Sequence, residues 1–176
     1  MSLTEFRARN HPQQTAQRQA VSLFPDLHDP TDDVDDRWTP PDLWGKLNDR
    51  FEFTVDVASS DSNAKCDRHY TLETDGLAQD WSGERVWCNP PFSNIRPWVE
   101  KAHATTDALV VILCPANRTE QGWWQEFIEP HRDRGGRLTV EFLAGRTKFV
   151  LPRGEYAEKG NTPPFGCCLL IWEADA

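Results

Sequence analysis

The chain has 176 residues and a formal net charge of −9 at pH 7, enough length for one domain with a real hydrophobic core and short for two. Its longest apolar runs, Ala108 to Leu113 and Cys167 to Trp172, fall well below the roughly 20 residues a membrane helix needs. With no apolar signal core near the start and five cysteines read as reduced thiols, the expectation is a soluble cytoplasmic protein without a disulfide framework.

The acidic balance weighs against a nucleic-acid partner, because phosphate binding rests on Lys and Arg. The charge is unevenly spread, however. Asp26, Asp29, Asp32, Asp33, Asp35 and Asp36 cluster with no Lys or Arg among them, whereas the stretch from Arg132 to Arg153 carries a local surplus of +4. An acidic tail and a basic stretch are compatible with one DNA-binding face.

Residues 1–36 read as a loosely ordered acidic tail, rich in Gln, Arg and Asp and interrupted by Pro25 and Pro30, a composition that buries too little surface to offset ordering entropy. Residues 37–176 read as a single globular domain. Thr39 is placed to cap a helix, with Pro40 and Pro41 in its first turn and Leu43, Trp44 and Leu47 as its apolar stripe, ending near Arg50. Phe53 to Val57 reads as a strand, followed by a polar turn from Ser59 to Asn63. Arg85 to Cys88 is a short strand running straight into Asn-Pro-Pro.

Ile95, Trp98, Val99 and Ala102 have helical spacing, and Ala108 to Leu113 is a continuous apolar run suited to a buried parallel strand. Gln121 to Glu129 reads as a helix, in which one of the adjacent Trp123 and Trp124 faces the core. Leu138 to Leu143 and Gly166 to Trp172 are two later strands. Strands alternating with helices predict an α/β fold: an open, mostly parallel sheet with helices on both faces. Such sheets bind ligands beyond the carboxyl ends of their strands. Asp56 and Asn89 both fall at strand ends, so they are expected to face one crevice.

The tetrad Asn89-Pro90-Pro91-Phe92 carries the most specific chemistry. An exocyclic adenine amine is a poor nucleophile because its lone pair is delocalised into the ring. A catalyst helps by accepting hydrogen bonds from both N–H groups. The Asn89 side-chain oxygen and the Pro90 carbonyl offer two acceptors, and Pro90 and Pro91 stiffen the loop that carries them. Phe92 offers a face for a base taken out of the duplex. The plain alternative is a rigid turn after a strand.

The surrounding text resembles the phage-type (Dam-like) DNA N6-adenine methyltransferase family. The landmarks run in order from Trp38-Thr39-Pro40 through Phe53 to Ala58, Asn63 to Cys66, Asp75-Gly76-Leu77, Asp80-Trp81 and Val86 to Phe92. They continue with Trp98-Val99, Leu113 to Ala116, Trp123-Trp124, Gly145-Arg146, Lys148-Phe149 and Pro164-Phe165-Gly166. The resemblance implies a Rossmann-like, S-adenosylmethionine-dependent methyltransferase fold. Only about thirty residues separate Asp56 from Asn89, so its first half is compressed.

The implied activity is that of a site-specific DNA methyltransferase acting on the N6 amine of a flipped adenine, with Asn89, Pro90, Pro91 and Phe92 catalytic. The implied cofactor-binding set is Thr39, Pro40, Asp56, Ala58, Asp75, Gly76, Leu77 and Asn89. Locally, Thr39 also reads as an ordinary helix cap and Asp56 as an Asx turn. Arg132, Arg134, Arg137, Arg146 and Lys148 are candidates for contact with double-stranded DNA, a solvated charged face being the alternative. Base readout is expected from loops, around residues 116–122 or 130–165. The implied setting is a monomer or weak dimer in a host cell's cytoplasm.

The Cys66 and His69 spacing lacks the second pair that a zinc site requires, so no metal is expected. Two other readings stand beside the DNA enzyme. Asn-Pro-Pro followed by an aromatic also serves protein glutamine-amide N5-methylation, and a non-catalytic DNA-binding module on the same fold is the third. Cytosine N4 methylation is disfavoured, since Ser more often opens that family's tetrad.

Overall fold

The computed structural model describes residue 35 and residues 37–151 and 163–175; apart from Asp35, the expected acidic tail over 1–36 lies outside them. At the centre is the apolar run β3 (Leu109–Pro115), buried at every position. Its side chains alternate between faces, as strand geometry requires. Leu109, Val111 and Leu113 join one core cluster, and Val110, Ile112 and Cys114 join the other. A strand buried on both sides needs cover on both sides, and the helices supply it.

The sheet has five strands in the order β1-β2-β3-β5-β4, with β1 at Val55–Asp56, β2 at Arg85–Cys88, β4 at Leu138–Phe142 and β5 at Cys167–Trp172. β1, β2 and β3 pair in parallel. β5 runs antiparallel to both β3 and β4, so four strands share one direction and the inserted β5 is reversed. The mixed α/β architecture follows from this sheet and the helices against its faces.

α1 (Pro41–Phe51) buries Leu47 and Phe51 against Trp87, Val111, Leu113 and Ile171. On the other face, α2 (Arg96–Ala104) and the short α3 (Gly122–Phe127) bring Val99, Ala102, Trp123 and Trp124 onto Val86, Val110, Ile112 and Leu170. Trp123 and Trp124 are both buried, at 6% and 1% exposure, where the helical spacing predicted one. A two-turn helix pressed on a sheet at its N-terminal end can turn both indoles inward. Among the described residues no helix is long and apolar enough to cross a membrane.

Two local expectations are corrected. The cap of α1 is Pro40, extended at φ −60 and ψ 142, and no side chain caps the helix. Pro41 forces its predecessor out of the helical region, so the boundary moves one residue past Thr39. The strand expected over Phe53 to Val57 shortens to two residues, although Thr54 N–H to Arg85 C=O (2.8 Å) and Val57 N–H to Trp87 C=O (3.0 Å) extend its bonding. Beyond β1 the sheet ends in a single bridge between Asp56 and His69. This bridge, continued by the Ser59 N–H to Tyr70 C=O bond at 3.1 Å, is the extended pairing that the short stretch between Asp56 and Asn89 places outside β1, which gives the compression its structural form.

Candidate active site

β2 ends at Cys88, and the next residue, Asn89, emerges at the carboxyl edge of the sheet, beside the end of β1 at Asp56. The Asn89 amide is not free to rotate. Its Nδ2 donates to the backbone carbonyl of Arg37 at 2.7 Å, which fixes the donor side and turns Oδ1, the acceptor, the other way. Pro90 is buried and Pro91 half-buried, so the backbone behind the amide is stiff. Phe92 is half-buried and meets Phe149 (5.9 Å, 75°) and Phe165 (6.3 Å, 62°) edge-on. The residue-37 carbonyl left no trace in the sequence pattern, because the contact spans 52 positions.

A narrow cleft joins Trp38, Thr39, Asp56, Ala58, Asn63, Lys65, Trp87 and Asn89. The structure thus brings together Thr39, Asp56, Ala58 and Asn89 from the expected set, and adds Asn63 and Lys65. Those two belong to the turn after β1, which wraps over Asp56. The Asp56 carboxylate accepts the backbone N–H of Ala58 (3.3 Å) and of Lys65 (3.0 Å). The local Asx-turn geometry and the cleft position therefore hold at once. Pro40 is buried beside Thr39, as the cap of α1.

Asp56 is 2% exposed. Burial pushes its carboxyl up to about 6, against the opposing pull of the Lys65 and Ala58 N–H groups and the charges of Lys65 and His69. Burial also holds the Lys65 ammonium below its ordinary value, with Asp56 opposing. For stability, the sign follows from where each state holds the proton. Between about pH 4 and pH 6 the unfolded chain has lost this proton while the folded chain keeps it. Folding stability is therefore expected to fall across that window and to level off above it, by roughly 3 kcal/mol from this group alone. Asp56→Asn should flatten the difference, as measured by denaturant unfolding from pH 4 to pH 7; parallel curves for the two proteins would remove the assignment.

Asp75, Gly76 and Leu77 do not line this cleft. Asp75 is exposed, at φ +49, and accepts the Leu77 N–H at 3.1 Å. Gly76 is buried, and a Cβ there would lie 1.9 Å from the Val57 carbonyl oxygen. The glycine is needed for close packing of chain on chain at the end of β1. Lys101 Nζ ties the same loop down through the carbonyls of Leu77 (2.8 Å) and Gln79 (2.6 Å).

The basic candidates divide. Arg132 pairs with Glu129 (2.9 Å) and Asp133 (3.3 Å). Arg137 donates to the carbonyls of Glu173 (2.8 Å) and Thr105 and pairs with Asp175 (3.3 Å). With Arg134 they precede β4, whose first residue, Leu138, shares its β5 partner Trp172 with Val110 near the start of β3. They therefore lie toward the amino edge of the sheet, and the structure does not bring them to Asn89. Arg146 and Lys148 follow β4 and are exposed, next to Phe149, which touches Phe92. His69 contacts Asp61 (2.9 Å) and the Asp67 carbonyl (3.1 Å), and burial pushes the Cys66 thiol up to about 12.

Residues 28–174 match the family described as DNA N-6-adenine-methyltransferase (Dam). The chain is similar to the DNA N-6-adenine-methyltransferase of Haemophilus phage HP1 (strain HP1c1), 37% identical over 129 residues that cover 71% of this chain and 69% of the phage protein. It is also similar to the DNA N-6-adenine-methyltransferase of Escherichia phage T1, 36% identical over 100 residues. That match covers 54% of this chain and only 42% of the T1 protein.

Proposed function

Because the chain belongs to the DNA N-6-adenine-methyltransferase (Dam) family, we propose that it transfers a methyl group from S-adenosylmethionine to the N6 amine of an adenine turned out of duplex DNA. The observation that carries this reading is the Asn89 amide at the tip of β2, locked by the Arg37 carbonyl at 2.7 Å. With Nδ2 engaged, Oδ1 is the acceptor left for an N–H of the substrate amine. A second acceptor on the stiff Pro90 backbone would pull the lone pair of that amine out of conjugation. Preorganised acceptors of this kind act without reorganising at the moment of reaction.

The cleft fits the amino-acid end of the cofactor by the chemistry of its donors. Asp56 suits an ammonium, Lys65 a carboxylate, and Thr39 and Asn63 supply neutral hydrogen bonds beside them. The cleft has room for about 10 Å³, roughly a single water, so loading requires it to open. When bound, the cofactor supplies an already activated methyl on sulfur. The protein then has only to position, to hold the amine's hydrogens and to exclude water. Phe92 keeps a half-buried ring beside the tetrad as a surface for the base.

We place the fold in the Rossmann-like methyltransferase class, since the parallel strands β1 to β3 deliver the cleft at their carboxyl ends and helices cover both faces. The test is transfer of labelled methyl to unmethylated double-stranded DNA of varied sequence, with peptides as the competing acceptor. Folded wild-type protein that labels no DNA would sink the reading, and label on glutamine peptides alone would reassign the acceptor. Sequencing DNA for N6-methyladenine after expression in a methylation-free host would also give the recognition sequence.

A further inference from the structure

After Phe92 the chain makes one 3-10 turn, Phe92–Asn94, before α2 begins. Facing it is the loop from β3 to α3. Between them lies a cavity of about 390 Å³ whose walls include Phe92, Ser93, Arg96, Arg118, Gln121 and Trp123. Its size falls within the ordinary range of ligand pockets, about 300–1,000 Å³. It shares Phe92 with the catalytic tetrad and is distinct in lining from the Asp56 cleft.

The polar groups of this cavity point to an anion. Arg118 Nε is buried and, among the described residues, has no hydrogen-bond acceptor. A buried donor left unpaired is costly, and in native structures it calls for a partner. Glu120 is near enough for its carboxyl to feel the Arg118 charge, but it does not line the cavity. Arg96, by contrast, is already held by Glu126 at 2.7 Å and lies over the Phe127 ring at 5.4 Å.

Ser93 supplies the second observation. Its N–H donates to Asp35 Oδ1 at 2.9 Å, and its hydroxyl donates to Asp35 Oδ2. The rim of the cavity therefore already grips an oxyanion with a backbone and a side-chain donor. Phosphate presents oxygens of the same kind, and a guanidinium fork matches them in pairs.

We propose that this cavity receives the DNA phosphate adjoining the adenine to be methylated, with Arg118 as the positioning residue that grips it and Ser93 releasing Asp35 to share the contact. The proposal rests on the DNA-methyltransferase reading above. A phosphate held here, across Phe92 from Asn89, would fix the register of the extruded nucleotide relative to the catalytic amide. Phosphate contacts of this kind set position while loops read bases. The residue lies in the loop around 116–122, where sequence placed base readout, but its role is to hold the backbone.

The test is equilibrium binding of a fluorescein-labelled duplex to the full chain, followed by anisotropy over a range of salt. Arg118→Ala is expected to bind about tenfold more weakly and to lower the slope of log affinity against log salt by about one. Arg118→Lys keeps the charge without the fork, so it should retain the wild-type slope with intermediate affinity. Arg132→Ala removes the same charge near the opposite edge of the sheet and should leave the slope unchanged. Wild-type slope and affinity in Arg118→Ala, or an equal effect from Arg132→Ala, would overturn the phosphate site while leaving the enzyme reading intact. A wild-type chain that binds no duplex at any salt would overturn both.

Discussion

Asn89→Ala is expected to lower methyl transfer to DNA by at least about 10²- to 10³-fold, the scale seen when one preorganised hydrogen-bonding group is removed from a reacting centre. Cofactor binding should change by no more than a few-fold, because Asp56, Lys65, Thr39 and Asn63 line the rest of the cleft. Asn89→Asp is the sharper variant. It preserves the size but faces a carboxylate oxygen toward the Arg37 carbonyl, where Nδ2 now donates at 2.7 Å. Two acceptors at that distance repel, so this variant should lose turnover and also stability. Labelled-methyl transfer and titration calorimetry separate the two quantities, and an undiminished turnover rate in Asn89→Ala would refute the role given to the amide.

Among the described glycines, Gly76→Ala should be the most damaging replacement by alanine. The new Cβ would sit 1.9 Å from the Val57 carbonyl oxygen and 3.0 Å from its carbon. Both are backbone atoms, so no rotamer change relieves the overlap. The loop cannot easily retreat either, because the Trp81 indole N–H bonds the Gly76 carbonyl at 3.0 Å and Lys101 holds Leu77. The expected cost is about 3 kcal/mol, the upper part of the usual overpacking range. For a chain of this size that lowers the melting temperature by roughly 6–12 °C.

Gly45→Ala is the matched control. Nothing lies within 4 Å of a Cβ there, inside α1, so it should stabilise by roughly 0.5–1 kcal/mol. Thermal unfolding of the two variants reads both effects, and a Gly76→Ala protein that melts with the wild type would show the packing argument to be wrong.

These cases mark where the sequence was readable. β2, β3 and β5 follow from short apolar runs whose ends are set by Asn-Pro-Pro, by Pro115 and by Gly166, and the structure agrees to within about a residue or two. Asn89 was legible because a strand end followed by two prolines is a local pattern. The contacts that complete the site are not local. Arg37 reaches Asn89 across 52 positions, and Lys65 returns over Asp56 after nine; neither leaves a period in the chain.

Charge in one dimension is equally silent about place. Arg132, Arg134 and Arg137 form a basic run in the sequence, and the fold puts that run toward the amino edge of the sheet, with Arg132 paired to Glu129 and Asp133 and Arg137 to Asp175. Arg118, a lone cation in a loop, carries no such signal, yet among the described basic residues it is the one with a buried donor to satisfy. Gly76 is a further case: the close approach that a glycine permits is made here to the Val57 carbonyl, a contact with no local signal in the sequence.

The reversed strand β5 has a consequence for how this protein is made. Among the described strands it leaves the ribosome after the other four, yet its place is between β3 and β4. Until Trp172 has emerged, β4 lacks its β5 neighbour and the apolar flank of β3 that β5 covers stays open to water. A nascent chain that is stalled, or cut before Cys167, would therefore lose an inner seam rather than a dispensable border, and would expose the stickiest part of its interior to chaperones and proteases.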